Sequence, residues 1–73
     1  MTQHPNVTSL LRYFEYDHLP ERLQAVAANC HALAHDMASK LDGVELTAGL
    51  RKLLEAKDCF VRAALDAREV KTE

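Results

Sequence analysis

An all-α fold is predicted: a short N-terminal helix followed by a long antiparallel two-helix hairpin, assembled as a homo-oligomer. Three observations carry the expectation. Two stretches place apolar residues at alternating steps of four and three, Pro20 and Gly43 punctuate them, and the chain is only 73 residues long. A heptad-like seam belongs to a helix lying along a partner at a shallow angle. A single domain this short buries too small a share of its surface to be stable unaided, so staples, metal or self-assembly complete it. Cys30 and Cys59 sit inside the helical patterns without the spacing of a disulfide framework or zinc site, and read as reduced thiols of a cytosolic protein. Self-assembly is the remaining remedy.

The elements follow in order within a single domain spanning residues 1–73. Residues 1–7 are expected to be flexible. A short helix is predicted over 8–16, where Leu10, Leu11 and Phe14 are close to helical spacing and Thr8 or Ser9 is available as a cap. Tyr16-Asp17-His18-Leu19-Pro20-Glu21 then breaks the pattern, because proline disfavours helix at the residue before it and suits the first turn of a new helix. The first long helix is predicted over 20–41, with Leu23, Ala27, Cys30, Ala34, Met37 and Leu41 as its seam and Val26 and Leu33 widening it. Gly43 ends it, glycine being best able to take the left-handed conformation there. The second long helix is predicted over 45–69, with Glu45 near its positive end and a seam of Leu46, Leu50, Leu53, Lys57, Phe60 and Ala64. A second stripe of Leu54, Val61 and Leu65 makes its apolar face broader than one opposing helix covers. Residues 70–73 are expected to fray.

Acidic residues number 11 against 9 Lys and Arg, interspersed, for a net charge of −2 with the histidines neutral. A duplex nucleic-acid binder carries a basic face that neutralises many phosphates, so that class is not expected. Neither a basic, apolar leader nor a run of about 20 apolar residues is present, so neither signal peptide nor membrane span is expected. There is no glycine-rich phosphate loop, no nucleophile elbow and no paired-carboxylate motif, and catalysis and a cofactor are not expected. His31 and His35 lie one helical turn apart, but no third ligand is spaced to complete a metal site, and they read as surface histidines.

Two places break the apolar pattern. Lys57 falls on the seam and Asp58 on the second stripe; a polar residue there costs stability unless paired, and fixes register when it is. Lys57 therefore pairs with Glu55, Asp58 or Glu45 at a subunit contact, faces a bound anion, or snorkels with no role. The segment Arg12-Tyr13-Phe14-Glu15-Tyr16-Asp17-His18 concentrates both tyrosines and one of two phenylalanines beside a basic residue. Aromatic faces stack on nucleobases for about 1–3 kcal/mol per base, and guanidinium groups take phosphate oxygens. The other reading of these rings is that they anchor the short helix on the hairpin.

Tyr16-Asp17-His18-Leu19-Pro20-Glu21-Arg22-Leu23-Gln24, His31-Ala32-Leu33-Ala34 and the stretch from Thr47-Ala48-Gly49 through Arg51-Lys52-Leu53-Leu54-Glu55-Ala56-Lys57-Asp58 to Ala63 closely resemble a family of small phage hairpin proteins. These defeat the bacterial anti-phage system CBASS and are related to the anti-Thoeris sponges; the resemblance spans roughly residues 12 to 65. It implies a non-enzymatic protein in the cytoplasm of the infected bacterial host that sequesters cyclic oligonucleotide immune signals, as a homohexamer whose ligand pockets form at subunit interfaces. It also implies that a tyrosine seven residues before the proline and a lysine eight residues after it grip cyclic dinucleotides. Those positions are Tyr13 and Ala28. The tyrosine is present and the lysine is not, which removes a charge-assisted contact of about 1.5–3 kcal/mol. The family can carry a separate pocket for cyclic trinucleotides, and its relatives take cyclised ADP-ribose derivatives, so a changed ligand preference follows as readily as lost binding.

The expected ligand-binding residues are accordingly Arg12, Tyr13, Tyr16, His18, Arg22 and Arg62, with Arg51 a further source of charge. A helical oligomeric adaptor that binds another protein through its apolar stripe, its nucleotide site lost at Ala28, is the alternative.

Overall fold

The chain begins its first helix with a side-chain cap from histidine. The computed structural model describes the backbone of residues 4–69 and the side chains of residues 4–66; the start at residues 1–3 and the tail expected to fray, residues 70–73, lie outside the described residues. Helix α1 runs Pro5–Arg12. His4 adopts an extended conformation and its Nδ1 accepts the Asn6 N–H at 3.1 Å. Pro5 fills the first helical position, where its missing N–H needs no partner. This corrects the expected start at residue 8 and the caps Thr8 and Ser9: the Thr8 hydroxyl instead donates back to the His4 carbonyl at 3.4 Å. The helix also ends earlier than residue 16. The N–H groups of Tyr13, Phe14 and Glu15 bond to carbonyls three residues back at 3.0, 3.1 and 3.2 Å, a tightening turn that swings Phe14 into the interior, where it is 0 % exposed.

Helix α2 spans Glu21–Lys40. Pro20 is its N-cap rather than part of its first turn, with φ −56° and ψ 149°, and the Pro20 carbonyl accepts the first intrahelical bonds from Leu23 and Gln24 at 2.9 and 3.0 Å. Gln24 reaches back to the preceding loop, its Nε2 donating to the Leu19 carbonyl at 2.8 Å and the Asp17 carbonyl at 3.4 Å. At the far end Lys40 meets Asp36 at 3.1 Å, an exposed i,i+4 pair beside the negative end of the helix.

Leu41 turns extended (φ −126°, ψ 166°) while its N–H still reaches the Met37 carbonyl, and Gly43 takes φ +95°. Helix α3 then runs Val44–Glu69. At 1.5 Å per residue α2 is about 30 Å long and α3 about 39 Å, folded back on each other across a three-residue link.

The core is concentrated at the turn end of this hairpin. Val7, Leu11 and Phe14 from α1 and the turn after it meet Cys30, Ala34 and Ala38 of α2 and Leu46 and Leu50 of α3. Alanines on α2 bring the helix axes close, and α1 supplies the bulk that fills the junction. Three seam expectations are corrected here. Leu41 is 54 % exposed because the chain has left the helix at that point, and Ala38 takes the buried place. Leu33 is also exposed, since α1 covers a different face of α2. Along α3, Leu46 and Leu50 are buried and Leu53 half-buried, but Phe60 is 53 % exposed because α1 does not extend that far. The second stripe is half-buried at Leu54 and Val61 and exposed at Leu65.

A compact monomer of 8.2 kDa exposes about 4,500 Å²; this chain exposes 5332 Å². Its radius of gyration is 13.8 Å, against about 11 Å for a compact domain of this length. Among the described residues no helix is long and apolar enough to cross a membrane.

Candidate functional site

The aromatic segment leaves α1 at its C-terminus and crosses to the start of α2. Its geometry is set by Phe14: with that ring enclosed in the core, the neighbouring Tyr13 is forced outward and is 63 % exposed. Arg12, in the last turn of α1, is exposed beside it. The Arg12 guanidinium makes no hydrogen bond or ion pair among the described residues, and neither does the Tyr13 phenol. A cation and a ring on adjacent residues thus stand in solvent on a backbone held by consecutive short turns.

Tyr16 behaves differently. It is half-buried and its ring meets His31 of α2 edge-on, with centroids 5.1 Å apart and planes at 75°. His31 in turn lies against His35, centroids 4.3 Å apart and planes at 39°. The Leu19 N–H closes a turn onto the Tyr16 carbonyl at 3.0 Å, and the bonds from Gln24 hold the rest of the loop. His18 sits exposed within that turn.

The remaining expected contacts lie elsewhere. Arg22, in the first turn of α2, donates from Nη1 to the Ala64 carbonyl of α3 at 3.2 Å, tying the open end of the hairpin together. Arg62 is exposed on α3, its Nη2 donating to the Cys59 thiol at 3.5 Å. Nine residues along α2 separate Arg22 from His31, an axial distance of about 14 Å. One chain therefore groups Arg12, Tyr13 and Tyr16 in one segment and leaves Arg22 and Arg62 at the other end of the molecule.

Lys57 has a side chain only 13 % exposed and meets Asp58 at 3.5 Å. Adjacent residues on a helix do not face one another, so this contact is a side-on one and Asp58 stays half in solvent. The same lysine acts on Cys30: burial pushes that thiol above its ordinary value, and the positive charge of Lys57 pulls it part of the way back. Both cysteines are free, Cys30 buried and Cys59 exposed.

Two recesses among the described residues lie near the turn of the hairpin. One, of about 410 Å³, is an apolar groove lined by Leu33, Met37, Leu41, Leu46, Leu50 and Leu53 with Asp42 and Glu45 at its rim. The other, of about 680 Å³, lies between the start of α1 and the turn, from His4 and Thr8 to Lys40 and Asp42. Neither is lined by Arg12, Tyr13, Tyr16, His18, Arg22 or Arg62. Among the described residues no three His, Cys, Asp or Glu side chains are grouped to hold a metal ion. The contact of Tyr16 with His31 was not expected from sequence. The turn spacing of His31 and His35 was visible, but the approach of Tyr16 depends on how the loop returns to α2.

No protein-family model, curated protein or solved structure matches this chain.

Proposed function

We propose that this chain is a non-enzymatic phage protein that sequesters cyclic oligonucleotide immune signals of its bacterial host, binding cyclic di- or trinucleotides without degrading them. The observation that carries the reading is the pairing of Arg12 with the 63 % exposed Tyr13 on a rigid turn anchored by Phe14. An unpartnered guanidinium beside an outward ring offers phosphate recognition and base stacking together. The resemblance of the sequence around Tyr16–Gln24 and Thr47–Ala63 to anti-CBASS proteins points to the same ligands.

Arg12 and Tyr13 stand exposed and outside both recesses described above, so enclosing a ligand against them calls for walls from a second copy. A homohexamer with ligands at its subunit interfaces meets that need. The surface in excess of a compact monomer, and the exposed Phe60 and Leu65 beyond the reach of α1, favour such an assembly. Its working place would be the host cytoplasm.

The test is direct. The protein is incubated with cyclic di- and trinucleotides and a cyclised ADP-ribose, freed of ligand by heat or protease, and the released molecule is identified. Recovery of an unaltered ligand is expected. Binding of none overturns the reading, and recovery of a changed molecule makes the protein an enzyme. Native mass measurement addresses the assembly, where a monomer counts against it.

The apolar groove at the hairpin turn favours a second reading, a helical adaptor that holds another protein, its nucleotide site lost at Ala28. Ligand-free behaviour with a protein bound at Leu33 and Met37 would distinguish it.

A further inference from the structure

Tyr16, His31 and His35 form a continuous row of rings along one side of α2. The i,i+4 spacing stacks the two imidazoles one turn apart on a single face, with centroids 4.3 Å apart. The edge of Tyr16, 5.1 Å away, braces the inner one. The row runs from half-buried rings to His35, which is exposed. Ala28, three residues before His31 on the same face, places no long side chain beside it. None of the imidazole nitrogens and not the Tyr16 hydroxyl has a hydrogen-bond or ion-pair partner among the described residues. The carboxylate next to His35 in sequence, Asp36, is engaged by Lys40 at 3.1 Å.

We propose that this row is a nucleotide-contact surface. A nucleobase stacks on the exposed ring of His35, and the ring N–H groups of His31 and His35 donate to phosphate oxygens of the same ligand. Tyr16 is a positioning residue that holds His31 in the row. The inference rests on the cyclic-oligonucleotide reading and adds two contact residues to it, on a helix that the aromatic segment alone does not include. The chemistry singles out this ligand class. Planar faces in series attract another planar ring, and imidazole N–H donors with no acid beside them attract an acceptor-rich anion. A nucleotide carries both. A metal ion is the poorer fit, since no third His, Cys, Asp or Glu ligand accompanies the two imidazoles among the described residues.

The experiment follows the histidine and tyrosine ring resonances by NMR during titration with cyclic diadenylate and, separately, with adenosine monophosphate. Saturable shifts of His31, His35 and Tyr16 are expected. His35→Ala should weaken binding about tenfold with little change in melting, because its ring is exposed and touches the core at no point beyond its contact with His31. His35→Phe, which keeps the stacking face and loses the N–H donors, should fall between. If cyclic diadenylate binds but the rings stay unmoved and His35→Ala binds as the parent does, the row is not a contact surface, while the sequestration reading stands. If cyclic diadenylate does not bind, adenosine monophosphate decides: saturable ring shifts retain the surface as a nucleotide contact, and unmoved rings end it.

Discussion

Replacing Phe14 by alanine removes the only aromatic ring of the chain that is wholly enclosed. The ring belongs to the buried cluster that Val7 and Leu11 of α1, Cys30, Ala34 and Ala38 of α2 and Leu46 and Leu50 of α3 form. Burial of roughly 150 Å² of apolar surface is worth about 4 kcal/mol, and measured truncations of enclosed phenylalanines cost about 3–5 kcal/mol once the cavity is included. A chain of this length has about 4–11 kcal/mol of stability in total. The substitution therefore removes much of it, with a fall in melting temperature of roughly 15 °C or more. Urea and thermal unfolding followed by circular dichroism at one fixed chain concentration is the assay, because any self-association makes the midpoint depend on concentration. On the proposed function the consequence extends to binding: with Phe14 gone, the turn that presents Tyr13 keeps its backbone hydrogen bonds but loses its anchor in the core, so the folded fraction should also lose affinity for cyclic nucleotides. A loss of less than 1 kcal/mol, or full stability loss with ligand affinity intact in the folded fraction, would refute the reasoning that one buried ring both locks α1 and aims its neighbour.

The two glycines give predictions of opposite sign. Gly43→Ala should destabilise by about 1–2 kcal/mol through its φ of +95° alone, since no atom crowds its Cβ position, whereas Gly49→Ala, inside α3 and equally uncrowded, should stabilise by about 0.5–1 kcal/mol; paired denaturation curves check both. Val61→Glu, placed on the second stripe where α1 does not reach, should abolish self-association and ligand binding together in native mass and calorimetric measurements; a monomeric variant that binds normally would separate them. Exposed Cys59 should react with a thiol reagent at least tenfold faster than Cys30, which is buried and whose thiol is pushed up by burial. The raised Cys30 thiol also fixes the sign of a pH effect. The unfolded chain releases that proton first, so the contribution is complete below the ordinary thiol value and declines as pH rises beyond it. Cys30→Ala should flatten that decline.

The hairpin was legible in the sequence because its determinants are local. Pro20 sits where the chain enters α2, Gly43 supplies the left-handed turn, and the four-three spacing fixes which side of each helix is apolar. The aromatic segment was legible as unusual, and its exposed Tyr13 with the neighbouring Arg12 stands where those residues put it. The limits of α1 were not legible. Thr8 and Ser9 outrank histidine as caps by general preference, yet His4 caps the helix because Pro5 follows it and because an earlier start brings Val7 into the core.

What the sequence determined by itself is therefore the helical character, the hairpin and its breaks, each a matter of neighbours a few residues apart. Tertiary structure decided which half of the seam is enclosed and what the aromatic rings touch. Periodicity says that a face is apolar without saying what covers it, so the burial of Leu50 and the exposure of Phe60 follow from where α1 comes to rest. The row from Tyr16 through His31 to His35 likewise joins residues that only the folded loop brings together.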